Sequence, residues 1–299
     1  MDFVILDLEW NGSYSRRLKG FINEIIEFGA VKVDAQLRVI DTFECLVRPQ
    51  VGKKISSKIE TLTNITNEDL QSGLQFMQAM SRFRKWMGEA VLMTWGTSDI
   101  LALIENYRYF CGGERIPFLK YYVDLQSYCE NMLQYDRNRQ MGLSALAQFL
   151  GISDEDVAYH RAMDDSMLSL RCLQELYQKD AIVSFLQNAQ TDTFYEKITF
   201  KTTIICDLSN PLIRRSDMMF YCYACGRRAV REEEWLLKNK SYRAQFCCRS
   251  CNNCFTGKVQ FKLKYDGMVV KKCILPPKNE AEKAEKFAGQ KNAPKMRRK

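Results

Sequence analysis

The sequence predicts an α/β fold: a mixed sheet with helices on both faces, followed by a small C-terminal β module. Three observations carry that expectation. Strand-like runs of β-branched and aromatic residues come first, and helical spacing then alternates with short apolar runs to about residue 178. The charge changes sign along the chain. Residues 1–199 hold 21 basic against 27 acidic side chains, residues 200–270 hold 13 against 6, and residues 271–299 hold 10 against 3. Eight of the twelve cysteines lie from Cys206 onward.

Residues 4–10 (VILDLEW) form an apolar run interrupted by two acids, the pattern of a buried strand. Residues 24–34 and 37–47 are the next two strands, joined closely enough to be an antiparallel hairpin. A polar loop follows. Phe76, Met80, Phe83 and Met87 then recur at three to four residues, which predicts a helix over 74–88. Residues 91–95 are a fourth strand, 98–110 a helix and 121–124 a fifth strand, and further helices fall near 125–133, 142–150 and 161–178. Residues 1–187 are therefore expected to be one domain and 198–275 a second, linked by the polar stretch around 187–197, with 276–299 a disordered basic tail.

Composition removes several classes. With 299 residues, 46% of them hydrophobic, the chain can bury two cores and is not mainly disordered. No apolar run approaches the roughly 20 residues that span a bilayer. The first ten residues carry acids at Asp2, Asp7 and Glu9, unlike a signal peptide. A soluble, cytoplasmic chain with no membrane partner is expected, without a disulfide framework, so clustered thiols read as metal ligands. Cys45, Cys111, Cys129 and Cys172 sit in apolar surroundings and read as small core residues. The single histidine, His160, is the only possible source of imidazole chemistry.

The acids supply the first chemical signal. Asp7 and Glu9, two apart on a strand, point to one face of the sheet. Two carboxylates there are costly unless a cation or hydrogen bonds offset them, although a solvated edge strand would also accept them. Asp99 opens a helix after the fourth strand, where the dipole alone also favours an acid. His160 precedes a long helix, and Asp165 follows it at i+5, a spacing that can aim both groups at one point. Asp164 lies beside Asp165 and competes for that assignment.

Taken in order, Asp-x-Glu on the first strand, Asp after the fourth and His-x4-Asp opening a late helix resemble the DEDDh exonucleases. These form the proofreading-exonuclease-like branch of the RNase H-like superfamily. Residues 24–31 (EIIEFGAV) look like that family's second strand. Residues 62–66 (LTNIT) look like its L-T-G-I-T loop, with Asn64 in place of glycine, and residues 142–146 resemble the helix before its histidine. The resemblance covers about residues 2–180. It implies an RNase H-like sheet, two Mg²⁺ or Mn²⁺ ions held by Asp7, Glu9, Asp99 and Asp165, and His160 as general base. It also implies 3′–5′ removal of nucleotides from single-stranded nucleic acid with a free 3′ end, RNA slightly favoured over DNA. Leu8, Trp10, Leu62, Thr63 and Ile65 are the candidate pocket for the terminal sugar and 3′-hydroxyl. One departure is the stretch 11–23, with Ser13, Arg16, Arg17 and Lys19, which is either a flexible substrate-facing loop or a surface insertion. A rival expectation is a catalytically silent scaffold that binds nucleic acid or protein through its basic third.

The cysteines supply the second signal. Cys222 and Cys225 form a C-x-x-C followed by Gly226, and Cys247, Cys248, Cys251 and Cys254 follow some twenty residues later. Such paired knuckles suit one tetrahedral structural zinc of the zinc-ribbon kind, with thiolate ligands only. Cys248 and Cys251 are preferred over Cys251 and Cys254, because Asn252 tolerates the left-handed backbone that Phe255 would resist. Residues 259–270 alternate around Asp266–Gly267, a hairpin signal with Val259, Phe261, Leu263 and Tyr265 on one face. The module suits either a nucleic-acid clamp or a protein-binding surface.

Overall fold

A computed structural model describes residues 1–135, 140–152 and 161–275, which fall into two compact units divided at Thr199 and Phe200. His160 and the tail 276–299 lie outside the described residues.

In the first unit, β1 (Phe3–Ser15), β2 (Gly20–Val33) and β3 (Val39–Leu46) form an antiparallel meander. After α1 (Ser57–Thr63) and α2 (Phe76–Met87), β4 (Val91–Thr94) pairs parallel with β1. The helix α3 (Ser98–Cys111) leads to β5 (Tyr121–Asp124), which pairs parallel with β4. Then come α4 (Leu125–Met132), α5 (Leu143–Phe149), α6 (Ala162–Leu176), α7 (Lys179–Val183), β6 (Gln187–Asn188) and α8 (Asp192–Thr199). The sheet order is β3-β2-β1-β4-β5-β6.

The sheet is buried on both faces, which explains why β1 begins as a continuous apolar run. Val4, Leu6 and Leu8 join a cluster with Phe76, Phe83 and Leu103. Phe3 and Ile5 point the other way, into a cluster with Leu146, Leu168 and Leu173. The same alternation sends Asp7 and Glu9 to the α6 side of the sheet. Cys129 and Cys172 lie fully inside that second cluster, where burial pushes both thiols up to about 12.

The structure differs from the sequence-based expectations at four places. Residues 11–23 are not a flexible loop, because β1 and β2 continue as a hairpin arm to the Ser15–Gly20 pair. The polar stretch 48–73 contains α1 and a 3-10 turn, Asp69–Gln71. Residues 187–199 are not a linker, because Ala189, Phe194, Tyr195 and Ile198 pack into the first core and extend that unit to Thr199. The stretch looked polar because only one face of α8 is apolar.

In the second unit, β7 (Thr203–Ile205) pairs with β11 (Cys254–Lys264). Between them come a 3-10 turn (Arg215–Met218), β8 (Val230–Arg231), β9 (Leu236–Lys238) and β10 (Ser241–Cys247), and β12 (Gly267–Leu275) closes the hairpin. Val259 and Phe261 are fully buried, on the face expected. The fourth difference concerns disulfides: Cys247 and Cys254, direct partners across β10 and β11, are bonded to each other. Among the described residues no helix is long and apolar enough to cross a membrane.

Candidate active site and metal centres

Asp7, Glu9 and Asp165 each offer a carboxylate oxygen, and these oxygens lie within 4.8 Å of one another. The convergence follows from packing. Ser166, one residue past Asp165, donates its hydroxyl to the Gly29 carbonyl at 2.8 Å. Gly29 is the cross-strand partner of Asp7. A Cβ on Gly29 would sit 2.2 Å from the Ala162 carbonyl carbon, so only glycine lets the start of α6 approach the sheet this closely.

Glu27 completes the seat. It is fully buried and accepts from the Ala162 N–H at 3.1 Å, at the first turn of α6, where a negative charge suits the helix dipole. Its carboxylate also receives Arg161 Nη2 at 2.6 Å and Nε at 3.0 Å. Arg161 reaches Glu44 on β3 at 3.2 Å as well.

Asp99 is buried beside this cluster and accepts the Leu8 N–H at 3.1 Å, which pins α3 to β1. Four carboxylates so close resist ionising together. Burial, then Asp99, Asp165, Glu9 and Glu27, hold Asp7 well above the usual carboxylate range. Burial and Glu27 push Glu9 up to about 8, and burial pushes Asp99 up to about 7 despite the Leu8 hydrogen bond. An all-oxygen donor set with an uncompensated negative charge fits hard divalent cations such as Mg²⁺ or Mn²⁺.

The residues expected to form a sugar pocket are divided by the fold. Leu8, Thr63 and Ile65 are buried, while Leu62 is exposed and Trp10 partly so. Thr63 accepts the Ile65 N–H at 3.2 Å, and Ile65 packs with Ile26, Ile55 and Leu70. Asn64 ends α1 at φ 55°, which explains how it stands in for glycine there. Glu24, Glu27 and Arg161 are not among the site residues expected from the sequence. Their signal was present as two acids three apart in an otherwise apolar strand. Glu24 accepts the N–H groups of Gln50, Val51 and Gly52 at 2.5–2.9 Å and anchors the loop before α1.

In the second unit, the Sγ atoms of Cys222, Cys225, Cys248 and Cys251 lie within 4.8 Å of one another, three of the pairs at 3.4–3.6 Å. Ligands about 2.3 Å from a tetrahedral zinc would stand about 3.8 Å apart, so the cluster fits that ion. The two knuckles repeat one geometry. Gly226 N–H bonds the Cys222 carbonyl and Asn252 N–H the Cys248 carbonyl, each at 2.8 Å. Gly226 and Asn252 both have positive φ, at 70° and 54°. Backbone N–H groups, that of Ser250 first, pull the Cys248 thiol down to about 6.

The sequence profile of the Exonuclease (RNase_T) family matches residues 4–173. The chain is 27% identical over 202 residues to "Probable 3'-5' exonuclease KapD" of Bacillus subtilis, covering 65% of this chain and 92% of the relative. It is also 27% identical over 168 residues to human "3'-5' exoribonuclease 1", covering 52% of this chain and 48% of that protein. Two solved structures share the fold. One, described as "3'-end specific recognition of histone mRNA stem-loop by 3'-exonuclease", has TM-score 0.54 and 22% identity over 62% of this chain and 84% of the other. The other, the nuclease domain of 3'hExo, a DEDDh family member, bound to rAMP, has TM-score 0.50 and 24% identity over 57% of this chain and 90% of the other. With an acidic cluster on an RNase H-like sheet and a family match over more than half its length, the chain belongs to the RNase_T exonuclease family.

Proposed function

We propose that the protein removes nucleotides one at a time from the 3′ end of a single-stranded nucleic acid, RNA in preference to DNA. The convergence of Asp7, Glu9 and Asp165 from two distant segments carries this reading. Asp7, Glu9, Asp99 and Asp165 would hold two Mg²⁺ or Mn²⁺ ions, which supply Lewis acidity at the attacking and leaving oxygens of an in-line hydrolysis. Asp99 is oriented by the Leu8 N–H and Asp165 by the α6 seat on Gly29 and Glu27. His160, next to the anchored Arg161, would take the proton of the attacking water. The exoribonuclease name of the human relative and the rAMP bound by the 3'hExo nuclease domain support RNA.

The four-thiolate cluster, Cys222, Cys225, Cys248 and Cys251, would hold one structural zinc. The grouping of the Cys248 Sγ with those of Cys222, Cys225 and Cys251 supports Cys248, rather than Cys254, as the partner of Cys251.

The test is degradation of 5′-labelled single-stranded RNA and DNA with Mg²⁺ or Mn²⁺. A ladder shortening from the 3′ end is expected from the wild type, and a loss of about 10³-fold or more from Asp7→Asn or His160→Ala. Equal rates in all three proteins would sink the assignment and favour a silent scaffold.

A further inference from the structure

The second unit contains a cavity of about 690 Å³ that the catalytic reading does not use. Arg215, Arg228 and Arg231 line it together with Trp235 and Phe246. Each guanidinium arrives from a different segment: the 3-10 turn, the first cysteine knuckle and β8. The knuckle fixes the second of these, because Cys222 N–H bonds the Arg227 carbonyl at 2.8 Å and Tyr221 bridges to Arg228. Arg231 stands opposite Phe246 across the sheet and stacks over the Trp235 ring at 5.7 Å. Trp235 is itself held edge-on by Phe246 at 5.7 Å.

Three arginines beside a braced indole are the chemistry of a phosphate next to a planar base. Arg231 has one rim partner, Glu234 at 3.7 Å, an exposed pair of small worth. Among the described residues no acidic side chain forms a salt bridge with Arg215 or Arg228. The volume is within the roughly 300–1,000 Å³ of ordinary ligand sites. The charge around it also points to a polyanion. Lys272, the cross-strand partner of Val259, adds a fourth cation on the cavity's side of the sheet, over the Phe220 ring at 5.0 Å and donating to the carbonyl of the lining residue Met219 at 2.5 Å. An isolated anion would not need this spread of charge, whereas a chain of phosphates would.

We propose that this cavity binds one nucleotide unit of a single-stranded nucleic acid, with phosphate on Arg215, Arg228 and Arg231 and the base on Trp235. The inference rests on the reading that the chain handles nucleic acid, but its test involves no cleavage, so the two can fail separately. The probe is a fluorescently 5′-labelled single-stranded RNA, titrated with the full-length Asp7→Asn protein without added divalent cation, its length checked by gel afterwards. The double variant Arg228→Ala/Arg231→Ala should weaken binding about tenfold or more and flatten the log Kd against log salt slope by about 1.4, two contacts at about 0.7 each. Its zinc content, measured in parallel, should equal that of its parent. The strand should quench tryptophan emission in the parent and quench it less in the Trp235→Phe version, which keeps an aromatic ring in the core. An unchanged Kd and salt slope in a zinc-loaded double variant would overturn the proposal. So would equal quenching with and without Trp235, the result expected if the module serves a protein partner.

Discussion

Glu9 on β1 and Glu27 on β2 are direct partners across the antiparallel ladder. Two like charges in that relation repel, and after burial Glu27 is the largest cause of the raised pKa of Glu9. The pair persists because Arg161 and the Ala162 N–H neutralise Glu27, which leaves Glu9 alone in need of a cation. One strand pair thus carries both a cation-seeking acid and the anchor of the helix that brings Asp165 to it.

Breaking that anchor should damage activity through geometry. In Glu27→Gln the amide oxygen can still accept the Ala162 N–H, but Arg161 loses its buried partner. Stability should fall by about 2–5 kcal/mol. In the 3′-end assay kcat should fall more than KM rises, since Asp165 and the residue next to His160 lose their fixed positions. Denaturant unfolding and steady-state kinetics on the same preparation check both effects, and an unchanged kcat would remove Glu27 from the positioning role.

Gly29 should tolerate no side chain. Alanine there meets the Ala162 backbone at 2.2 Å and must push α6 off the sheet, a cost of about 3 kcal/mol or more with loss of activity. Gly12 lies on the same sheet with nothing within 4 Å of its virtual Cβ, so Gly12→Ala should leave melting temperature and rate nearly unchanged. Equal effects from the two substitutions would contradict the close approach.

The metal-free protein should lose stability as pH rises. Asp99 near 7 and Glu9 near 8 both titrate in the folded protein above their unfolded values of about 4. Their stabilising contribution is therefore complete below the unfolded values and lost as pH rises through about 7 and 8. Divalent cations favour the ionised forms, so the gain in Tm on adding Mn²⁺ should be larger at pH 8 than at pH 6. Thermal scans at both values, with and without Mn²⁺, test this. In Asp7→Asn the pH dependence should be shallower.

Zinc analysis separates the cysteines. One zinc per chain is expected in the wild type and in Cys254→Ser, and none in Cys248→Ser or Cys222→Ser. Chelation should release the metal and expose the aromatic cluster of Phe220, Trp235 and Phe246, seen as a red shift of tryptophan emission. Zinc retained in Cys248→Ser but lost in Cys254→Ser would reverse the ligand assignment.

By itself the sequence determined the main strands and long helices of the first domain up to about residue 178 and the order of its acids, because periodicity and i, i+2 spacing are local properties. Alternation on β1 already placed Asp7 and Glu9 on one face, and Gly226 and Asn252 already marked both knuckles. Only the tertiary structure decided what depends on partners distant in sequence. It paired Glu27 with Arg161 across more than a hundred residues and showed that Gly29 is needed for α6 to touch the sheet. It turned residues 11–23 into a hairpin arm by pairing two stretches that each look like loop. Among the residues that the family resemblance offers for a substrate pocket it buried Leu8, Thr63 and Ile65 and left Leu62 exposed, because a motif shows that residues act together but not which of them face the solvent. Spacing along the chain reveals which side chains share a face, whereas the charge they must neutralise and the space they must leave depend on packing.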